Sequence, residues 1–105
     1  MAQIKINDAN LRNHHIYLNS IISIFPEDSI GGENSNTKGI ELKISYYCNG
    51  KLKTFESDIA GDKKIFRRRG ITLGTGMLLA DLKVKAGDTL QFKKISDYHF
   101  EVSLI

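Results

Sequence analysis

The sequence has one cysteine, one proline and no tryptophan in 105 residues. A single thiol, Cys48, cannot close an intrachain disulfide and cannot build a cysteine zinc cluster. Next to a turn it reads as a small apolar filler. No charged-then-apolar leader follows Met1, and with this cysteine usage the expected compartment is the cytoplasm. Long apolar runs are also missing. The most apolar stretch, Ile21 to Phe25, is far too short to span a bilayer, so no membrane partner is expected. Neither an internal repeat nor a low-complexity tract is present.

The length suits one compact domain covering residues 1–105. An apolar fraction of 41% supports a real core, and a charged fraction of 26% argues against disorder. The net charge of +3 is modest but unevenly placed: residues 51–70 hold seven Lys and Arg against three Asp and Glu, more than the whole excess. Local positive charge of this kind attracts phosphate backbones.

Apolar residues alternate more often than they recur at helical spacing, so the chain reads as mainly β. A first strand is expected over Gln3–Ile6, a polar segment over Asn7–His15 and a short strand over Ile16–Leu18. Asn19-Ser20 can cap a short helix over Ile21–Phe25, which Pro26 stops. Glu27–Lys38 reads as a surface loop. In Gly39–Ser57, the residues Ile40, Leu42, Ile44 and Tyr46 alternate with polar ones, and Asn49-Gly50 is the preferred pair for a tight type I′ turn. Counting outward pairs Ile44 with Phe55 and Lys43 with Glu56. Ser57–Asp62 reads as a loop and Ile65–Ile71 as a strand. Thr72 or Thr75 then caps a short helix through Leu82, with Leu78 and Leu82 on one face. Lys85–Asp88 is a turn with Gly87 at positive φ. Thr89–Lys94 and His99–Ile105 close the chain as two strands. An irregular closed or partly closed barrel would bury these short strands without long edges.

The stretch Lys63-Lys64-Ile65-Phe66-Arg67-Arg68-Arg69-Gly70 places five positive charges in eight residues. In a strand Arg67 and Arg69 point one way and Arg68 the other, so at least one side must reach solvent or a ligand. One reading is a solubilised strand edge; the other is nucleic-acid contact, extended by Lys63 and Lys64. On the second reading Arg67 and Arg69 share the side facing the ligand, unless a bulge inverts the assignment. The polar segment holds Asn10, Arg12, Asn13, His14 and His15. Asn and Arg are the types that read adenine and guanine edges bidentately in the major groove. The alternative is a solvated loop.

Other chemistry is hard to build. Adjacent His14 and His15 cannot both face one metal from a strand, and no third ligand stands at useful spacing. Gly74-Thr75-Gly76 lacks the third glycine of a dinucleotide loop and has no Gly-Lys-Ser/Thr after it. Asp58, Asp62, Asp81 and Asp88 are separated by turns, and nothing marks a nucleophile with its base; Asp88 reads as a turn cap. The aromatics, including Tyr46, Tyr47, Phe55, Phe66, Phe92, Tyr98 and Phe100, sit at strand spacing and read mostly as core, with a stacking platform for single strands as the alternative. No cofactor, no metal and no enzyme activity are expected of this chain.

The sequence "IFRRRGI", a short amphipathic helix, "LKVKAGDTLQF" and a last strand "HFEVSLI" together resemble the second half of B3-like DNA-binding domains. That family includes the plant B3 domain and effector domains of bacterial restriction endonucleases such as EcoRII and BfiI. The first half, ending "IFPED", follows the family order more loosely. The resemblance implies a seven-stranded pseudobarrel with two short helices and two arms that grip the DNA major groove. Carried over, the N-arm is Asn7–His15 and the C-arm Ser57–Arg69. The tryptophan that plant members carry is absent where Thr72-Leu73 stand, which favours a restriction-type member. With no nuclease motif, the implied role is a targeting module. By analogy alone it would be a piece of a longer chain, for instance the N-terminal domain of a LlaJI-type subunit related to McrB, with a motor or nuclease on another domain or chain.

The expectation is therefore sequence-specific binding of double-stranded DNA. Lys51, Lys53, Lys63 and Lys64 would mostly hold phosphates. Asn10, Arg12, Asn13, His14, His15, Ser57, Asp58, Arg67, Arg68 and Arg69 would meet base edges or nearby phosphates. The rival is a basic β-barrel adaptor binding protein, or RNA in the manner of a PUA domain.

Overall fold

The computed structural model describes residues 2–105. It is mainly β, with seven strands and a few short helices. Five strands form one mixed sheet in the order β1-β6-β7-β2-β3: β1 (Ala2–Lys5), β2 (Leu42–Cys48), β3 (Lys51–Ser57), β6 (Thr89–Ser96) and β7 (His99–Leu104). A separate ribbon pairs β4 (Ile59–Ala60) with β5 (Ile65–Phe66). The helices are α1 (Asp8–Asn13) and α2 (Thr75–Asp81), with 3₁₀ turns at Asn19–Ile24, Glu27–Ser29 and Ser35–Thr37. Instead of a barrel closed by its ladders, the five-stranded sheet is open, with β1 and β3 as its edges.

The β2–β3 hairpin forms as its turn chemistry dictates. Asn49 and Gly50 take φ of 52° and 77°, the double left-handed geometry of a type I′ turn. The register pairs Ile44 with Phe55 and Lys43 with Glu56, as expected. Leu42, Ile44 and Tyr46 are fully buried, but Ile40 lies before the strand and is exposed. Strand β2 also pairs in parallel with β7, through Ile44 and Phe100.

The core lies between one face of the sheet and the ribbon. Phe66 of β5 meets Phe55, Phe92 and Phe25 at ring-centroid distances of 6.3, 6.2 and 6.0 Å. Phe25 ends the Asn19–Ile24 turn and is followed by Pro26, which cannot continue it. The aromatics divide by face, since Tyr46, Phe55, Phe66, Phe92 and Phe100 are buried while Tyr47 and Tyr98 are exposed. Cys48 packs against the core beside the hairpin turn.

Several local expectations are corrected, among them the Thr72 or Thr75 cap of the second helix, whose N-cap is Gly74 with no side-chain hydrogen bond. Ile16–Leu18 is not a strand; Tyr17 makes an isolated antiparallel bridge to Ile65. Ser57–Asp62 is not an open loop, because Ile59 and Ala60 are buried and paired. The Glu27–Lys38 segment is partly organised, with Ile30 bridging Ile59. The strand expected over Ile65–Ile71 ends at Phe66, leaving Arg67–Arg69 in irregular backbone. Helix α2 starts after Gly74, whose φ of 134° suits glycine alone and whose Cβ would lie 2.7 Å from the Arg68 carbonyl oxygen. Close backbone packing therefore explains Gly74-Thr75-Gly76, and Thr75 Oγ1 donates back to the Arg68 carbonyl at 3.1 Å.

Candidate nucleic-acid interface

Two stretches nominated from the sequence, residues 7–15 and 57–69, meet along the line where segment 15–18 runs beside β5. The Leu18 N–H donates to the Lys64 carbonyl at 2.8 Å. Arg69 bonds the His15 ring. Residues on opposite sides of Phe66 thus share one surface with the end of α1.

The polar segment before His15 is a helix, because Asn7 and Asn10 form a reciprocal capping box. Asn7 Oδ1 accepts from the Asn10 N–H at 2.9 Å, and Asn10 Oδ1 accepts from the Asn7 N–H at 2.8 Å. His14 then closes the helix at φ 56°. Arg12 and Asn13 remain exposed on the last turn, and His14 is half-buried. Asn10 is buried, and its side chain is engaged by the cap.

The three arginines have three different partners. Arg67 turns inward. Its Nε and Nη2 donate to the two carboxylate oxygens of Asp58 at 2.7 and 3.0 Å, and Nη2 also reaches the Gly32 carbonyl at 2.9 Å. Asp58, only 1% exposed, further accepts the Gly39 N–H at 2.7 Å. The hydrogen bonds to Asp58 raise the Arg67 pKa further. Arg68 points to the β3 side, where it donates to the Glu56 carbonyl at 2.8 Å and faces Glu41 at 3.5 Å. Arg69 has no carboxylate partner among the described residues; it donates to His15 Nε2. The ring's other nitrogen lies 3.1 Å from the Tyr17 hydroxyl. Burial first, then Arg69, Lys63 and His14, hold the His15 pKa below its ordinary value.

Other nominated residues separate. Ser57 is buried; its hydroxyl donates to the Asp58 carbonyl and accepts from the Arg68 N–H at 2.9 Å. Lys63 is exposed with no carboxylate partner among the described residues, and the Lys64 ammonium folds back onto the Gly61 carbonyl. Lys51 and Lys53 lie toward the hairpin end of β3, about 20 and about 13 Å along the strand from Ser57. There Lys53 pairs with Asp81 at 2.9 Å, which also accepts from the Tyr46 hydroxyl at 2.7 Å. Sequence reasoning missed this triad, since nothing in the spacing of Tyr46, Lys53 and Asp81 ties them together.

Between the 33–35 turn and the ribbon lies an open cleft of about 250 Å³, lined by Lys63, Arg67 and Arg69 and by Glu33 and Asp62. Among the described residues no group of three His, Cys, Asp or Glu side chains is placed to hold a metal ion, and no helix is long and apolar enough to cross a membrane. Chemically, the surface offers cations and hydrogen-bond donors.

No family model matches the chain, and no curated protein matches it at a significant level. Its fold is similar to that of the N-terminal domain of Helicobacter pylori LlaJI.R1, with a TM-score of 0.58 at 16% identity, over 99% of this chain and 85% of that one.

Proposed function

We propose that the chain is a double-stranded DNA-binding domain that acts as the target-recognition module of a restriction system. In this reading the fold is a B3-like pseudobarrel, the β4–β5 ribbon completing the open sheet. Residues 7–15 and 57–69 are two arms that enter the major groove. Cutting or motor chemistry belongs to another domain or subunit, and the module works in the cytoplasm.

One observation carries the proposal. Lys63 and Arg69, two cations without carboxylate partners among the described residues, lie with His14 around the His15 ring where the two segments meet, and the same turn of α1 exposes Arg12 and Asn13. Cations neutralise phosphates, and Asn and Arg read purine edges. The likeness to a LlaJI.R1 N-terminal domain supports the same reading. Asn10, Ser57, Asp58 and Arg67 are assigned to holding the arms in shape.

Selection of bound duplexes from a random pool, followed by sequencing, tests the proposal. A single enriched motif, bound more tightly than RNA of matching sequence, is the expected result. Absence of enrichment, or preference for RNA, refutes it.

A further inference from the structure

We propose that His15 is a positioning residue: its ring, oriented by Tyr17, holds the Arg69 guanidinium at the junction of the two arms with its charge intact. The contact stands on geometry; its consequence for DNA rests on the reading above.

The two neighbouring arginines show what is unusual. Arg67 and Arg68 face the carboxylates of Asp58 and Glu41. A carboxylate orients a guanidinium but also cancels its field toward a phosphate. Arg69 is oriented by an imidazole instead. A guanidinium only donates, so His15 Nε2 must be the acceptor. The neutral ring then carries its proton on Nδ1, which donates to the Tyr17 hydroxyl at 3.1 Å. Tyr17 is itself placed by its bridge to Ile65, and its ring stands edge-on to His15 at 5.6 Å. The tautomer, the ring plane and the arginine are thereby set as one unit. An arginine ordered before binding loses less side-chain entropy on meeting a ligand.

The arrangement works only while the ring is neutral. Protonation would put a hydrogen on Nε2, so that two donors and two like charges face each other. The charged and titratable groups around the ring are Arg69 and Lys63 from the second arm, His14 from the end of α1, and Tyr17. The cations among them, with burial, favour the neutral form and set the folded value below 6.5. The contact is therefore complete above the ordinary histidine range and is lost as pH falls through the lowered value. This gives a sign that separates two roles. A histidine that meets phosphate as a cation tightens DNA binding on acidification; one that positions Arg69 as a neutral acceptor weakens it.

Two measurements on the full chain test the inference. In the free protein, nitrogen NMR of the His15 ring should show the Nδ1–H tautomer, titrating below 6.5. With a duplex of the enriched sequence and a scrambled duplex as probes, His15→Phe and Arg69→Ala should each weaken binding to the enriched duplex about tenfold. The double variant should be no weaker than either single one. Tyr17→Phe, which keeps the His15 ring, should give an intermediate loss, and His15→Gln, which keeps an acceptor, should recover part of the affinity. In a His14→Gln background, which removes the neighbour's titration, acidification should weaken binding further in the parent than in His15→Phe. Additive losses, a ring titrating at or above the ordinary value, or tightening on acidification would overturn the assignment. A parent chain that binds no duplex removes the DNA reading and the role given to Arg69, while the ring titration still decides whether the contact exists.

Discussion

Replacing Asp58 by Ala should cost this domain about 3 kcal/mol of stability. Asp58 is 1% exposed and accepts three hydrogen bonds, two from Arg67 and one from the Gly39 N–H. Removing one partner of a buried pair costs about 3–5 kcal/mol, because the other charge is left without compensation. The Arg67 side chain is 19% exposed, so water can repay part of that loss, which places the figure at the low end. Losing the acceptor for Gly39 N–H acts in the opposite direction. At roughly 4–8 °C per kcal/mol for a domain of this size, the melting temperature should fall by about 12 °C or more. Urea unfolding followed by circular dichroism reads the loss directly. The double variant Asp58→Leu/Arg67→Met, with both charges gone, should recover much of it. A loss under about 1 kcal/mol for Asp58→Ala would refute the reasoning and return Arg67 to the groups free to meet a ligand.

The remaining expectations concern single contacts. Asn10→Ala, which removes half of the capping box, should destabilise the domain by about 1 kcal/mol in chemical denaturation. Lys63→Ala should weaken binding to all duplexes alike and reduce the magnitude of the log-log salt slope by about 1, read from titrations at several salt concentrations. Arg12→Ala should lose roughly 1–3 kcal/mol on the enriched duplex and much less on a scrambled one; equal losses would make it a phosphate contact. The Asp81 carboxyl is held below its ordinary value of 3.8, first by the Lys53 hydrogen bond and then by that of Tyr46. Its contribution is present above that value and lost as pH falls through the folded one, so Lys53→Met should shrink the stability difference between about pH 5 and pH 2 in acid titration melts.

What could be read in advance was what local chemistry dictates. Asn49-Gly50 admits one turn type, and the turn then sets every pair in the β2–β3 ladder, including Ile44 with Phe55. Asp88 was legible as a turn cap for the same reason, and it accepts the Lys85 N–H at 2.8 Å. Segment 7–15 was not legible as a helix, because its asparagines are poor helix formers by propensity. They act as reciprocal caps, a role that depends on backbone direction rather than composition. The Arg run failed differently. Alternation assumes a strand, but pairing in the ribbon stops at Phe66. Beyond that point the carboxylate of Asp58, just past β3, and not the pleat, decides where Arg67 goes.

That difference narrows the surface rather than abolishing it. A basic run looks like one patch in sequence, yet its members reach Asp58, Glu41 and His15 on three sides of the backbone. The inward Arg67 pins Gly32 and Asp58 together, which ties the 31–39 segment to the start of the second stretch. Arg68 faces β3 and Glu41. Only Arg69 turns toward the end of α1, where it bonds His15 beside Lys63 and His14. Lys51 and Lys53, nominated for their charge alone, stand toward the other end of β3, with Lys53 committed to Asp81. The local net charge that first drew attention to residues 51–70 therefore overstates what a ligand would meet. Geometry replaces it with a smaller group drawn from both segments. Any specificity would then come from how the end of α1 is held against Arg69, and His15 is the residue that joins them.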